Sequence, residues 1–219
     1  MNILPIGCWL FILAVPIWSE QTLHYESITA KKITSTQWNV TEKEKKLEIN
    51  GVSSDTSYST LVTQLNYALD SFEQKDPHKG YDLKAHREGK VLTVTGLVKK
   101  TNQTKQYQIG TTPWVQEFAF GFKDFLSSNA REYKFEILQP QSLDMHDMIA
   151  TKENIEELRI DSNVYQAQKM KITLQGFRKR FWKAEAWYDI KTHHLLRYKA
   201  NEGPGTPITD MILLENNVK

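Results

Sequence analysis

Apolar and polar positions alternate with a period of two along most of this chain, the signature of half-buried strands. Tyr81, Leu83 and Ala85 share one face against Asp82, Lys84 and His86. Leu92, Val94 and Val98 fall on one side of the next run, and Tyr107 and Ile109 mark another. Further on, Tyr133, Phe135 and Ile137 alternate with Glu132, Lys134 and Glu136. Turn-forming residues separate these runs, as in Asp76-Pro77-His78-Lys79-Gly80 and Arg87-Glu88-Gly89-Lys90, so the elements read as consecutive antiparallel hairpins. One stretch breaks the rhythm. Trp114, Val115, Phe118, Phe122, Phe125 and Leu126 recur at the three-and-four spacing of a helix face. Thr112 is a candidate N-cap, and Pro113 suits the first helical position, where its missing N–H costs nothing.

The pattern extends to both ends. Polar strand candidates occupy 22–28 and 33–41, and short ones 47–50 and 57–65, while 66–74 fits either a strand or a helical turn. After the apolar stretch, strands are predicted at 145–151, 155–160, 164–174, 181–188, 195–200 and 208–215. In the fourth of these Trp182, Ala184, Ala186 and Tyr188 share a side; in the fifth Leu196, Tyr198 and Ala200 do. One strongly apolar helix among so many strands predicts a mainly β protein: a strongly curved antiparallel sheet, a half-barrel of about 10–12 strands, wrapped over one central helix. No linker or repeat divides the chain, and 219 residues suit one sizeable domain.

The N-terminus differs in kind. Ile3 to Trp18 carries no charged residue, and the first acidic side chain is Glu20. That run is shorter than the roughly 20 residues of a spanning helix and fits a signal-peptide core, although no Lys or Arg precedes it. The expected organisation is a signal peptide over 1–19, cleaved near Ser19, and a single half-barrel domain over 20–219, exported to the periplasm. Cys8 is the only cysteine and lies in that leader. Its apolar run follows it, whereas a lipidated cysteine has the run before it. The mature chain would therefore lack disulfides, a thiol nucleophile and Cys-ligated metal.

Charge and motifs narrow the function. The net charge of +2, from 28 basic and 26 acidic residues without a strong block, argues against a nucleic-acid partner. No Gly-x-Ser-x-Gly elbow or Ser-Lys motif is present, and Gly203-Pro204-Gly205 precedes a strand and lacks the lysine of a phosphate loop. The neighbouring Glu156 and Glu157 would diverge on a strand, against paired-carboxylate chemistry. Asp144, His146 and Asp147 are the nearest approach to a metal set, but no second histidine sits at ligand spacing. His193 and His194 read as exposed turn residues. The expectation is a non-catalytic protein without cofactor or metal.

The run Trp187-Tyr188-Asp189-Ile190-Lys191-Thr192-His193-His194-Leu195-Leu196-Arg197-Tyr198, followed by a Gly-Pro-rich loop and a last apolar strand, resembles exported bacterial families of unknown function. The Thr112-Pro113-Trp114 opening of the helix between two meanders is similar to theirs as well. The resemblance covers roughly 80–215. It implies a half-open antiparallel barrel over a helix, similar to the periplasmic lipoprotein-carrier fold, and implies no chemistry.

A sheet curled over one helix leaves a concave apolar space, the usual setting for a hydrophobic ligand. Trp114, Phe118 and Phe122 from the helix, with Trp182, Tyr188 and Tyr198 from the sheet, are the candidate lining residues; the alternative is that they simply fill the core. Arg178, Lys179 and Arg180, between Phe177 and Trp182, form the most basic patch and are candidates for an anionic lipid surface. The leading expectation is a monomeric carrier or binding protein for a hydrophobic or lipid-like ligand. A structural module contacting an envelope protein is the second, and a hydrolase without a recognisable motif the third.

Overall fold

The computed structural model describes residues 20–98, 100–176, 182–201, 203 and 205–218, the last four by backbone pairing alone. The predicted leader and the basic patch at Arg178, Lys179 and Arg180 lie outside these residues. Alternation becomes strand almost everywhere. In chain order the strands are β1 (Glu20–Thr29), β2 (Lys32–Lys43), β3 (Lys46–Ser53), β4 (Tyr58–Gln64), β5 (Leu69–Asp76), β6 (Tyr81–Glu88), β7 (Val91–Val98) and β8 (Thr101–Gln108). A short helix α1 (Lys123–Ser127) follows, then β9 (Glu132–Gln139), β10 (Asp144–Ile160), β11 (Asn163–Leu174), β12 (Lys183–Asp189), β13 (Leu195–Asn201) and β14 (Ile208–Val218). All fourteen form one antiparallel sheet in the order β8-β7-β6-β5-β4-β3-β2-β1-β14-β13-β12-β11-β10-β9. The first eight strands make one meander and the last six another, joined where β1 pairs with β14. The curved sheet with a helix inside it is the architecture expected from the sequence, with fourteen strands where about 10–12 were expected.

Details depart from the pattern for local reasons. The ambiguous 66–74 segment resolves into a turn, with Tyr67 at φ 65, and β5. Two predicted strands merge into β10, whose 17 residues bend at a register shift between Lys152 and Ile155. Such bulges increase the local twist that a closing sheet needs.

The segment between β8 and β9 is a plug, and only its end is helical. Thr112 and Pro113 do not open a helix. The Pro113 carbonyl accepts from Glu136 N (2.9 Å) and Val115 N donates to Glu136 O (3.0 Å), so Trp114 forms a parallel bridge on β9. This covers part of the free edge of β9. The N–H groups of Phe120 and Gly121 then converge on the Glu117 carbonyl (3.1 and 3.0 Å), and α1 follows from Lys123. A helix needs a polar face only where one side meets water. Here Trp114, Val115, Ala119, Phe120, Phe122 and Phe125 are all buried, because the sheet surrounds the plug, and packing rather than periodicity sets its path. Gly121 permits the tight fold: a Cβ there would overlap Val115 Cγ1 far inside contact distance. Gly121→Val is therefore expected to destabilise by about 2 kcal/mol or more through overpacking, measured as a fall in the urea midpoint. An unchanged midpoint would mean that the plug backbone is free to shift.

The remaining gap lies between the edges β8 and β9. Side chains span it: Lys105 Nζ donates to the Ser142 carbonyl (3.0 Å) and to Asp144 (2.8 Å), and the Tyr107 hydroxyl donates to the Leu143 carbonyl. The barrel is thus linked across its edges without a continuous ladder, which leaves it half-open.

Candidate functional site

Ring contacts show which face of each strand looks inward. Trp38 on β2 meets Phe120 edge-on at 5.3 Å, Phe135 on β9 meets Phe122 at 5.2 Å, and Tyr188 on β12 meets Phe122 at 6.1 Å. Following the pleat from these anchors, the inner face divides into two zones. The plug seals one end. There Leu23, Tyr25, Ile49, Leu61, Phe72, Leu92 and Val94 are closed off from solvent. Toward the other end, where β1 turns into β2 and β13 runs into β14, the inner face loses its cover.

The predicted lining residues separate along that division. Trp114, Phe122 and Tyr188 are 3%, 1% and 1% exposed and belong to the sealed core. Tyr188 is held there by donating its hydroxyl to the Phe118 carbonyl (2.9 Å), and burial raises its pKa well above the usual tyrosine range. Phe118, Tyr198 and Trp182 are only half-buried. Phe118 and Tyr198 touch at 5.8 Å, and Trp182 Nε1 donates to the Asn201 carbonyl (2.7 Å) just before β12 begins. Met211 and Leu174 are likewise half-buried against the core, and Ala184, Ala186 and Ala200 keep that wall low. Met211 was not singled out in the sequence; the pairing of β13 with β14 opposite Tyr198 brings it in.

Glu117 is the acid of the plug. It is enclosed by the barrel yet keeps some accessible surface, and no hydrogen bond or ion pair reaches its carboxyl among the described residues. Removal from bulk water pushes its pKa up to about 7. A carboxyl with no partner among the described residues, set in an aromatic plug, had no signal in the sequence beyond its place between Trp114 and Phe118.

The plugged end carries the other polar groups. Lys123 Nζ donates to the Tyr67 hydroxyl (3.2 Å) and lies over the Tyr67 ring at 4.5 Å. Lys152 Nζ caps the end of α1 through the Leu126 and Ser128 carbonyls (3.2 and 2.6 Å). His194 is buried rather than exposed as its turn position suggested; burial, followed by Lys123, lowers its pKa to about 4. The neutral ring accepts from the Gln21 amide at 3.0 Å. His193 contacts Ser127 (Nδ1 to Oγ, 3.3 Å), with Asp189 in the same turn. This is not a nucleophile triad. Ser127 donates its proton to the Lys123 carbonyl (3.0 Å), and the Asp189 carboxylate is occupied by Thr192 (2.7 Å to its hydroxyl) rather than by the imidazole.

Metal ligation finds no support in the Asp144–Asp147 region: Lys105 engages Asp144, and His146 Nε2 meets Gln139 Oε1 at 2.8 Å. Among the described residues no three His, Cys, Asp or Glu side chains converge as a metal set. A pocket of about 450 Å³ opens on the outer face of β1, β2 and β3, between His24, Gln37, Asn39 and Val52. Its lining mixes these polar groups with the apolar side chains of Val52 and Leu214.

No family model matches the chain, and no curated protein matches it. Solved structures do. The barrel-like protein of the domain of unknown function DUF1849 from Brucella abortus superposes with a TM-score of 0.59 at 8% identity, over 94% of this chain and 100% of that one. The hypothetical lipoprotein YmcC from Escherichia coli gives 0.40 at 10% identity, over 88% and 86%. A putative outer membrane lipoprotein-sorting protein domain from Vibrio parahaemolyticus gives 0.29 at 9% identity, over 91% and 85%. At this identity the first likeness establishes the fold alone: the chain shares the barrel-like fold of the DUF1849 protein.

Proposed function

We propose that this protein binds a hydrophobic or lipid-like ligand at the uncovered end of its inner sheet face and performs no chemistry on it. The observation that carries this reading is the contrast between the two ends of one face. The plug seals Phe122 and Tyr188, whereas Phe118, Tyr198, Met211 and Trp182, on the same interior, stay half-buried. Apolar side chains left partly in water cost free energy that a ligand would recover, at about 25 cal/mol per Å² covered. The apolar leader pattern of residues 1–19 and the absence of cysteine beyond it fit an exported, periplasmic location. The lack of an activated nucleophile beside His193 fits a carrier better than a hydrolase.

The test is native mass spectrometry of protein purified without detergent, followed by titration with an apolar fluorescent probe. Bound lipid in the purified protein, and probe binding weakened about tenfold or more by Met211→Trp, are the expected results. Met211 is half-buried, so the larger ring fills the mouth without entering the sealed core. A clean apo mass together with a probe response indifferent to Met211→Trp would overturn the reading.

A further inference from the structure

One row of cross-strand partners crosses the inner face from Met170 through Ala186, Tyr198 and Met211 to Ser27 and Thr34. Its chemistry changes where the two meanders meet. On β11 to β14 the row is apolar or aromatic; on β1 and β2 it is hydroxyl. Neighbouring inward positions add hydroxyls, including Thr209 on β14, which meets Thr29 at 2.6 Å. Thr36 and Ser53 face each other across β2 and β3 with their hydroxyls 2.7 Å apart. Gln74 donates to the Ser59 hydroxyl (3.1 Å) across β4 and β5, and its Oε1 has no hydrogen-bond partner among the described residues. Ser27, Thr34, Thr36, Ser53 and Gln74 are all half-buried, so this wall presents polar atoms at the same open end as Tyr198 and Met211. None of them carries formal charge; Lys32, at the rim of that face, is exposed.

A mouth with one apolar wall and one uncharged hydroxyl wall matches a molecule divided in the same way. We infer that the site takes a neutral amphiphile, its alkyl part on Tyr198 and Met211 and a hydroxyl-rich head group on Ser27, Thr34, Thr36 and Ser53. This rests on the ligand-binding reading above and adds the head-group chemistry. Hydroxyls both donate and accept, so they can exchange partners with a polyol without leaving buried groups unmatched. An anionic head against the same wall would lose its hydration, and among the described residues only the exposed Lys32 at the rim could meet it.

The discriminating probes are decyl maltoside below its micelle concentration, decyl sulfate and decanol, each titrated calorimetrically into the full chain. The variant Thr36→Val/Ser53→Ala removes both partners of one hydrogen bond, a change that leaves the fold nearly as stable. Ser27→Ala/Thr34→Val is a second, independent variant on the neighbouring strands. The wild type is expected to bind the maltoside at least tenfold tighter than the sulfate. Either double variant is expected to lose at least tenfold for the maltoside while holding its decanol affinity. Equal binding of maltoside and sulfate, or maltoside binding indifferent to a folded double variant, overturns the head-group assignment and leaves the apolar site standing. If decanol and maltoside both fail to bind the wild type, the ligand-binding reading itself falls.

Discussion

Replacing Phe122 with alanine is expected to cost about 3–5 kcal/mol, a large loss for a single truncation. Phe122 is 1% exposed and stands where plug and sheet converge. Its ring lies 5.2 Å from Phe135 and 6.0 Å from Tyr133 on β9, 6.1 Å from Tyr188 on β12 and 5.6 Å from Phe118 in the plug. Three of these contacts are edge-on, the arrangement that adds to simple area burial. Removing the ring leaves a cavity between two strands and the plug that backbone movement can only partly close. Phe118, half-buried at the mouth, should lose less on the same truncation because solvent can enter behind it. Urea unfolding of both variants checks this order. A loss under about 1 kcal/mol for Phe122→Ala would mean that the plug is held by its backbone bridge to β9 rather than by its rings.

Substituting Glu117 with glutamine should act in the opposite direction, and only at higher pH. The folded-state pKa of Glu117 is raised to about 7, above the ordinary glutamate range, because its carboxyl is withdrawn from water with no partner among the described residues. The folded protein therefore holds this proton more firmly than the unfolded chain. Stability is lost as pH rises from near 4.5 through about 7, and the loss is complete above that window. Discounted for the surface Glu117 keeps in contact with solvent, the cost at pH 8 is on the order of 2 kcal/mol. Glu117→Gln removes the charge while keeping the shape. It is expected to stabilise the protein by about that amount at pH 8 and to change little at pH 4.5, flattening the pH profile between them. Thermal melts at the two pH values measure it. A variant with the parent's pH dependence would show that Glu117 titrates as an exposed carboxylate.

These expectations depend on a plug that the chain's periodicity misread in one respect. The apolar residues from Trp114 to Leu126 were legible as an interior element, and their burial confirms that role. The three-and-four spacing nevertheless implied a helix from Thr112, where the structure has a bridge to β9, a turn at Glu117 and a helix only from Lys123 to Ser127. Spacing reports a helix reliably when one face is wet. Inside a barrel every direction is apolar, so the same residues satisfy a coil equally well. His194 shows the complementary limit. Its sequence neighbours form a turn, but it is Gln21, on a strand far away in the chain, that meets its ring.

Local chemistry alone was sufficient for most of the strands and for the inward face of the cleanly alternating ones, because side-chain direction in a strand follows from position and needs no distant partner. It was sufficient also for a single curved sheet, since so much alternating apolar surface has to be covered by something. The order of the sheet was decided in three dimensions, above all the pairing of β1 with β14 that sets a hydroxyl wall beside an apolar one. So was the separation of Trp114, Phe122 and Tyr188 from Phe118, Trp182 and Tyr198 into sealed and half-open residues. The two groups are alike in composition and periodicity. What distinguishes them is how far along the barrel the plug reaches, and that depends on the Val115–Gly121 contact and the bridge to β9 rather than on any residue's own preference.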